Sequence, residues 1–74
     1  MPKIPSLSPQ KIIHIIEKKG FVLDRTKGSH YIYYHAESKR RVVIPFHKKD
    51  LPKGTMFEIL KQAGITREEL IELL

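Results

Sequence analysis

A chain of 74 residues with 41% hydrophobic and 30% charged residues has the balance of an ordinary globular protein, which excludes a disordered or membrane-embedded chain. The absence of cysteine excludes disulfides, thiolate metal sites and a cysteine nucleophile. The net charge of +6 is uneven: residues 1–53 hold twelve Lys/Arg against four Asp/Glu, whereas residues 54–74 hold two against four. A basic surface of that kind suits a polyanion such as nucleic acid, bound through phosphate contacts. The expectation is one domain over residues 1–74, too small for a large enclosed cavity, in the cytoplasm, with no membrane partner and no secretory leader.

Met1 to Leu7, with Pro2 and Pro5, reads as an extended lead-in. Ser8 is placed to cap a helix whose first position is Pro9, where the missing N–H costs nothing. Leu7 and Ile12 form a hydrophobic staple, and Ile12, Ile13, Ile15 and Ile16 supply a broad apolar face ended by Gly20. Phe21 to Thr26 reads as a strand and Lys27-Gly28 as the turn after it. Ser29 to His35, rich in aromatic and branched residues, is the second strand, and Arg40 to Ile44 the third, stopped by Pro45. Phe46 to Pro52 is a basic loop leading to a helix that starts between Lys53 and Thr55 and closes at Gly64. Met56, Ile59, Leu60 and Ala63 recur at helical spacing and belong to the core. Thr66-x-x-Glu69 is a capping box opening a short last helix. The predicted class is therefore α+β, in the order α-β-β-β-α with a short C-terminal helix. Its three-stranded antiparallel sheet carries both main helices on one face, as in double-stranded-RNA-binding domains.

Four histidines are the candidates for chemistry. His14 falls opposite the isoleucine stripe and reads as a solvated helix residue. His30 follows a glycine turn at the start of the middle strand, close to Lys27. Strand alternation sends His30 and His35 to opposite faces, so they do not share a metal. His47 lies in the basic loop Phe46-His47-Lys48-Lys49 and is a candidate contact for phosphate or ribose. The sequence contains no HExxH pair, EF-hand loop, P-loop or carboxylate dyad, which disfavours a metal-dependent nuclease and predicts no cofactor. RNA offers a metal-free route, because its own 2′-hydroxyl can attack the adjacent phosphate when a base removes the proton and cations stabilise the developing charge. A lone strand histidine is nonetheless most often structural or simply exposed. Which sheet face holds His30 is open, since His30/Ile32/Tyr34 and Tyr31/Tyr33/His35 both mix apolar and polar character; the preference is to put Tyr31 and Tyr33 inward.

Gly28-Ser29-His30-Tyr31, then Ile44-Pro45-Phe46-His47, then Lys53-Gly54-Thr55 and Ile59-Leu60-Lys61-Gln62-Ala63-Gly64-Ile65 together resemble the HicA toxins, also called the YcfA-like family, over nearly the whole chain. The resemblance implies the α-β-β-β-α fold, an mRNA-cleaving activity and neutralisation by a cognate HicB antitoxin. It also implies that His30 is the catalytic histidine. Two positions depart from the pattern: Phe46 stands where an arginine is common, and Lys48 where a glycine is common.

The leading expectation is thus the toxin component of a type II toxin–antitoxin system, a metal-independent endoribonuclease (an mRNA interferase) with His30 as general acid or base. Lys27, Ser29, Arg40, Arg41, His47, Lys48 and Lys49 are its candidate RNA contacts. A non-catalytic double-stranded-RNA-binding module is the alternative. It is weakened because Lys48-Lys49 precedes the second main helix, separated from it by Asp50-Leu51-Pro52, instead of opening it. A third reading, a pure protein-interaction domain, rests on the acidic and apolar segment from Thr66 to Leu74, whose simpler explanation is a helix packed back on the core.

Overall fold

Pro9, with an N-terminal serine cap before it, is the first helical residue of the chain in a computed structural model that describes residues 4–74; Met1 to Lys3 of the lead-in lie outside the described residues. Helix α1 spans Pro9–Lys18, strands β1, β2 and β3 span Val22–Lys27, His30–His35 and Arg40–Pro45, and helices α2 and α3 span Lys53–Ala63 and Arg67–Leu73. In α1 the Ser8 hydroxyl accepts a hydrogen bond from the Lys11 N–H at 3.2 Å. Ile12, Ile15 and Ile16 are buried, Ile13 packs at the core's rim, and His14 is exposed. β-branched residues disfavour a helix intrinsically, so α1 is held by burial of this face, at about 1.5–3 kcal/mol for each fully buried isoleucine.

The strands form one antiparallel sheet in the order β1-β2-β3, which is the α+β layout the sequence predicts. β2 and β3 pair Tyr31 with Ile44, Tyr33 with Val42 and His35 with Arg40 on one face. Tyr33, Val42 and Ile44 are buried there with the isoleucines of α1 and with Met56, Ile59 and Leu60 of α2, so both main helices cover this inner face. Tyr31 and Tyr33 therefore point inward. Burial raises the Tyr33 hydroxyl above its ordinary pKa, helped by the charges of Glu17 and Tyr31. The other face carries His30, Ile32 and Tyr34 beside Pro45, Val43 and Arg41.

Strand β1 pairs with β2 through a register shift between Leu23 and Arg25, where Asp24 has no partner. The extra residue decides which side chains face where. Before it, Val22 pairs with Tyr34 on the outer face; after it, Arg25 pairs with Ile32 and Lys27 with His30, again on the outer face. Without the irregularity, alternation would turn Arg25 and Lys27 inward.

Helix α2 ends at Gly64, whose φ of +74° is the left-handed conformation glycine tolerates best. The Ile65 N–H then donates to the Leu60 carbonyl at 2.9 Å, closing the helix end. Helix α3 opens with the predicted capping box: the Thr66 hydroxyl accepts from the Glu69 N–H at 3.1 Å, and Glu69 accepts from the Thr66 N–H at 3.3 Å. Leu70 is fully buried and Glu69 pairs with Lys19 at the end of α1, so the C-terminal segment packs back on the core.

Candidate nucleic-acid interface

The reversal between β1 and β2 falls one residue later than the sequence suggests. Lys27 pairs directly with His30, leaving Gly28 and Ser29 as a two-residue loop, so Ser29 belongs to the turn and Lys27 to the strand. Gly28 has φ +60° while Ser29 has no positive φ, the arrangement of a type II′ hairpin turn with glycine at its first central position. This turn fixes where β2 begins. His30 is consequently the first residue of the central strand, exposed on the outer face, with Lys27 on one side and Pro45 on the other.

A second segment is tied to the same end. The Phe46 N–H donates to the Ser29 carbonyl at 2.7 Å, and the Phe46 ring stacks on Tyr31 at 4.7 Å between centroids. At the other end of the loop Leu51 is buried, and its N–H donates to the Leu7 carbonyl at 2.9 Å. Between these anchors His47, Lys48, Lys49 and Asp50 are exposed. A loop pinned at both ends holds its cations with less loss of entropy on binding than a free one.

The candidate residues read from the sequence thus divide. Lys27, Ser29 and His30 share the turn, and His47, Lys48 and Lys49 project from the loop hydrogen-bonded to it. Arg41 lies on the same outer face as His30 but four rungs along the strand, opposite Tyr34, with its guanidinium 5.4 Å from the centre of the Tyr34 ring. Arg40 is not part of the group. It pairs with His35 at the far end of the sheet, on the inner face, and donates to the Gln62 carbonyl at 3.3 Å. Sequence reasoning also passed over Arg25, which only the β1 irregularity brings to the outer face. Tyr34 follows from the same packing that places His30: with Tyr33 buried, alternation puts His30, Ile32 and Tyr34 together on the outer face.

His35 has a separate role from His30. Its Nδ1 accepts from the Ser38 N–H at 3.0 Å, which places the neutral ring's proton on Nε2, and the ring packs 5.0 Å from that of Phe21. Both residues line a hollow of about 410 Å³ with Lys19, Ser38, Arg40 and Gly64, at the opposite end of the sheet from His30. The His30 site is an open surface, not a cavity. Among the described residues no group of three or more His, Asp or Glu side chains is placed to hold a metal ion. No described helix is long and apolar enough to cross a membrane.

A comparison with curated proteins finds no match to this chain. Residues 9–65, from the first residue of α1 to just past the end of α2, match the family model described as the HicA toxin of bacterial toxin-antitoxin. The matched segment includes the whole sheet, the Gly28-Ser29 turn and the pinned loop. The chain therefore belongs to the HicA family, the toxins of toxin–antitoxin systems, each with a cognate antitoxin as its partner.

Proposed function

We propose that the chain, working as one domain over residues 1–74, is a metal-independent endoribonuclease that cleaves mRNA in the cytoplasm, with His30 as the proton-transfer residue. One observation carries the reading. His30 stands exposed at the start of the central strand, on the open sheet face, flanked by Lys27 and adjoining a loop that displays His47, Lys48 and Lys49. An imidazole with Lys27 beside it and further cations on an adjoining loop, on a surface a polymer can reach, suits RNA transesterification.

The step balances without a metal or cofactor. His30 takes the proton of a ribose 2′-hydroxyl, the 2′-oxygen bonds to the adjacent phosphorus, and the bond from phosphorus to the 5′-oxygen breaks. The leaving 5′-oxygen receives a proton from solvent. The products are a 2′,3′-cyclic phosphate and a 5′-hydroxyl end. Lys27, Ser29, Lys48 and Lys49 hold phosphate oxygens, and His47 contacts phosphate or ribose. Arg40, held at the far end of the sheet by the Gln62 carbonyl, is outside this cluster. A HicB-type antitoxin neutralises the toxin by covering His30 and the basic surface; an acidic protein there denies phosphates access and stabilises the small domain by mass action.

The test is incubation of a messenger RNA with the purified chain in excess EDTA. Fragments with cyclic-phosphate ends support the reading, and intact RNA at enzyme excess overturns it.

A further inference from the structure

The open sheet face continues well beyond His30. Tyr34 stands on the same face four residues along β2, about 13 Å away at the rise of an antiparallel strand. Its ring lies beneath the Arg41 guanidinium, 5.4 Å from the ring centre, and beside Val22, which is 61% exposed. Between Tyr34 and His30, Ile32 pairs with Val43, and Val43 is 40% exposed. The face is therefore a shallow apolar band bordered by Arg25, Arg41 and Lys27. Asp24 is the one carboxylate in the strands, and it is engaged by Arg25 at 3.0 Å. Neither helix covers this band, since both pack on the other face.

We propose that Tyr34 and Arg41 form a stacking platform for a base of single-stranded RNA, and that the strand runs from this platform across the sheet to His30. The inference rests on the endoribonuclease reading and adds to it the form of the substrate and a positioning pair. Three considerations select RNA in single-stranded form. A planar ring under a planar guanidinium offers two stacking surfaces, and bases stack on such side chains irrespective of sequence. The bordering cations meet the phosphates, and the one carboxylate within the strands, Asp24, is paired with Arg25. Finally, attack by a 2′-hydroxyl needs that oxygen in line with the leaving 5′-oxygen, a geometry the stacked A-form duplex denies. Drawing a base out onto Tyr34 unstacks the strand and lets the ribose near His30 reach that line. A duplex cannot lay its bases on the sheet at all.

The test separates binding from cleavage by working in the His30→Ala chain, which cannot perform the proposed proton transfer. The probes are a short fluorescein-labelled RNA without self-complementarity and the blunt duplex of the same sequence, followed by anisotropy at fixed moderate salt. Tyr34→Phe keeps the ring, and Tyr34→Leu keeps the apolar bulk without it. Circular dichroism shows that each variant is folded. The expected result is single-strand affinity unchanged in Tyr34→Phe and lowered roughly tenfold or more in Tyr34→Leu, the range of a lost base stack, with the duplex bound more weakly than the single strand. Equal single-strand affinity of the Phe and Leu variants overturns the platform, as does preference for the duplex. So does an outcome in which Tyr34→Leu weakens only the antitoxin complex, which would make the band a protein-docking surface. Cleavage by the His30-intact chain is scored separately, so loss of the platform is distinguishable from loss of nuclease activity: the first leaves cutting of RNA insensitive to Tyr34→Leu, and the second leaves no cutting to measure.

Discussion

Phe46 stacks its ring on Tyr31 with 20° between the planes, while its N–H reaches back to the carbonyl of Ser29 in the hairpin turn. Tyr31 in turn packs against the core beside Ile44. The contact joins the His47-Lys48-Lys49 loop to the His30 end of the sheet through one aromatic pair. It also gives a physical reason for phenylalanine at a position where the family resemblance leads one to expect arginine: the ring serves as an anchor in place of a cation.

Phe46→Ala should therefore loosen the loop. An aromatic pair contributes about 0.5–1.5 kcal/mol beyond its area burial, so a total loss of about 1–2 kcal/mol in urea unfolding is expected, together with weaker RNA binding. Phe46→Tyr should be nearly neutral in both. Unchanged stability in the alanine variant would mean that the stack contributes nothing.

Gly28 tests the turn. At φ +60° an added Cβ meets nothing within 4 Å, so the cost of Gly28→Ala is conformational, not steric. About 1–2 kcal/mol is expected for an L-residue in the left-handed region, and less for Gly28→Asn, which tolerates it better. The comparison is made from urea midpoints of the three chains. An alanine variant as stable as the parent would show that the turn adopts another geometry.

The C-terminal helix divides sharply by burial. Leu70 is fully buried, so Leu70→Ala should cost about 2–5 kcal/mol. Ile71 is 40% exposed, so Ile71→Ala should stay within about 0.5 kcal/mol. Similar losses from the two would mean that α3 does not pack as described.

Acid should weaken the attachment of α3. The hydrogen bond from Lys19 holds the Glu69 carboxyl below its ordinary value of 4.5, and the Thr66 N–H adds to the effect. A carboxylate with a lowered folded pKa contributes stability that is present above its unfolded value and lost as pH falls through the folded one. Thermal melts of the parent chain should thus fall off below about pH 4.5, and Glu69→Gln, less stable at neutrality, should converge with the parent in acid. Parallel curves at all pH values would remove Glu69 from this role.

Much of the fold was readable because its signals are local. Ser8 with Pro9, the Thr66–Glu69 box and Gly64 mark helix ends through their own chemistry, and the structure places the helix boundaries within a residue or two of those marks. The faces of the sheet were less legible. His30 to His35 alternates one mixed set of side chains with another, and β1 is exposed along its whole length, so neither strand carries a clear burial rhythm. Helix packing on Tyr33, Val42 and Ile44 decides β2, and the irregularity at Asp24 decides β1. Both are tertiary events. They separate Arg41 from its neighbour Arg40, bring Arg25 to the outer face, and account for why adjacent cations in the sequence do not share a site.

The central claim is that His30 moves the proton in a metal-free cleavage of RNA. Its most direct measurement is the single-turnover rate of RNA cleavage in EDTA for the parent chain and for His30→Ala, with circular dichroism confirming that both are folded. Removal of a general acid or base should lower the rate by about 10²–10⁴-fold, while His14→Ala, on the exposed side of α1, cleaves as the parent does. A folded His30→Ala chain that cuts RNA at the parent rate would contradict the account.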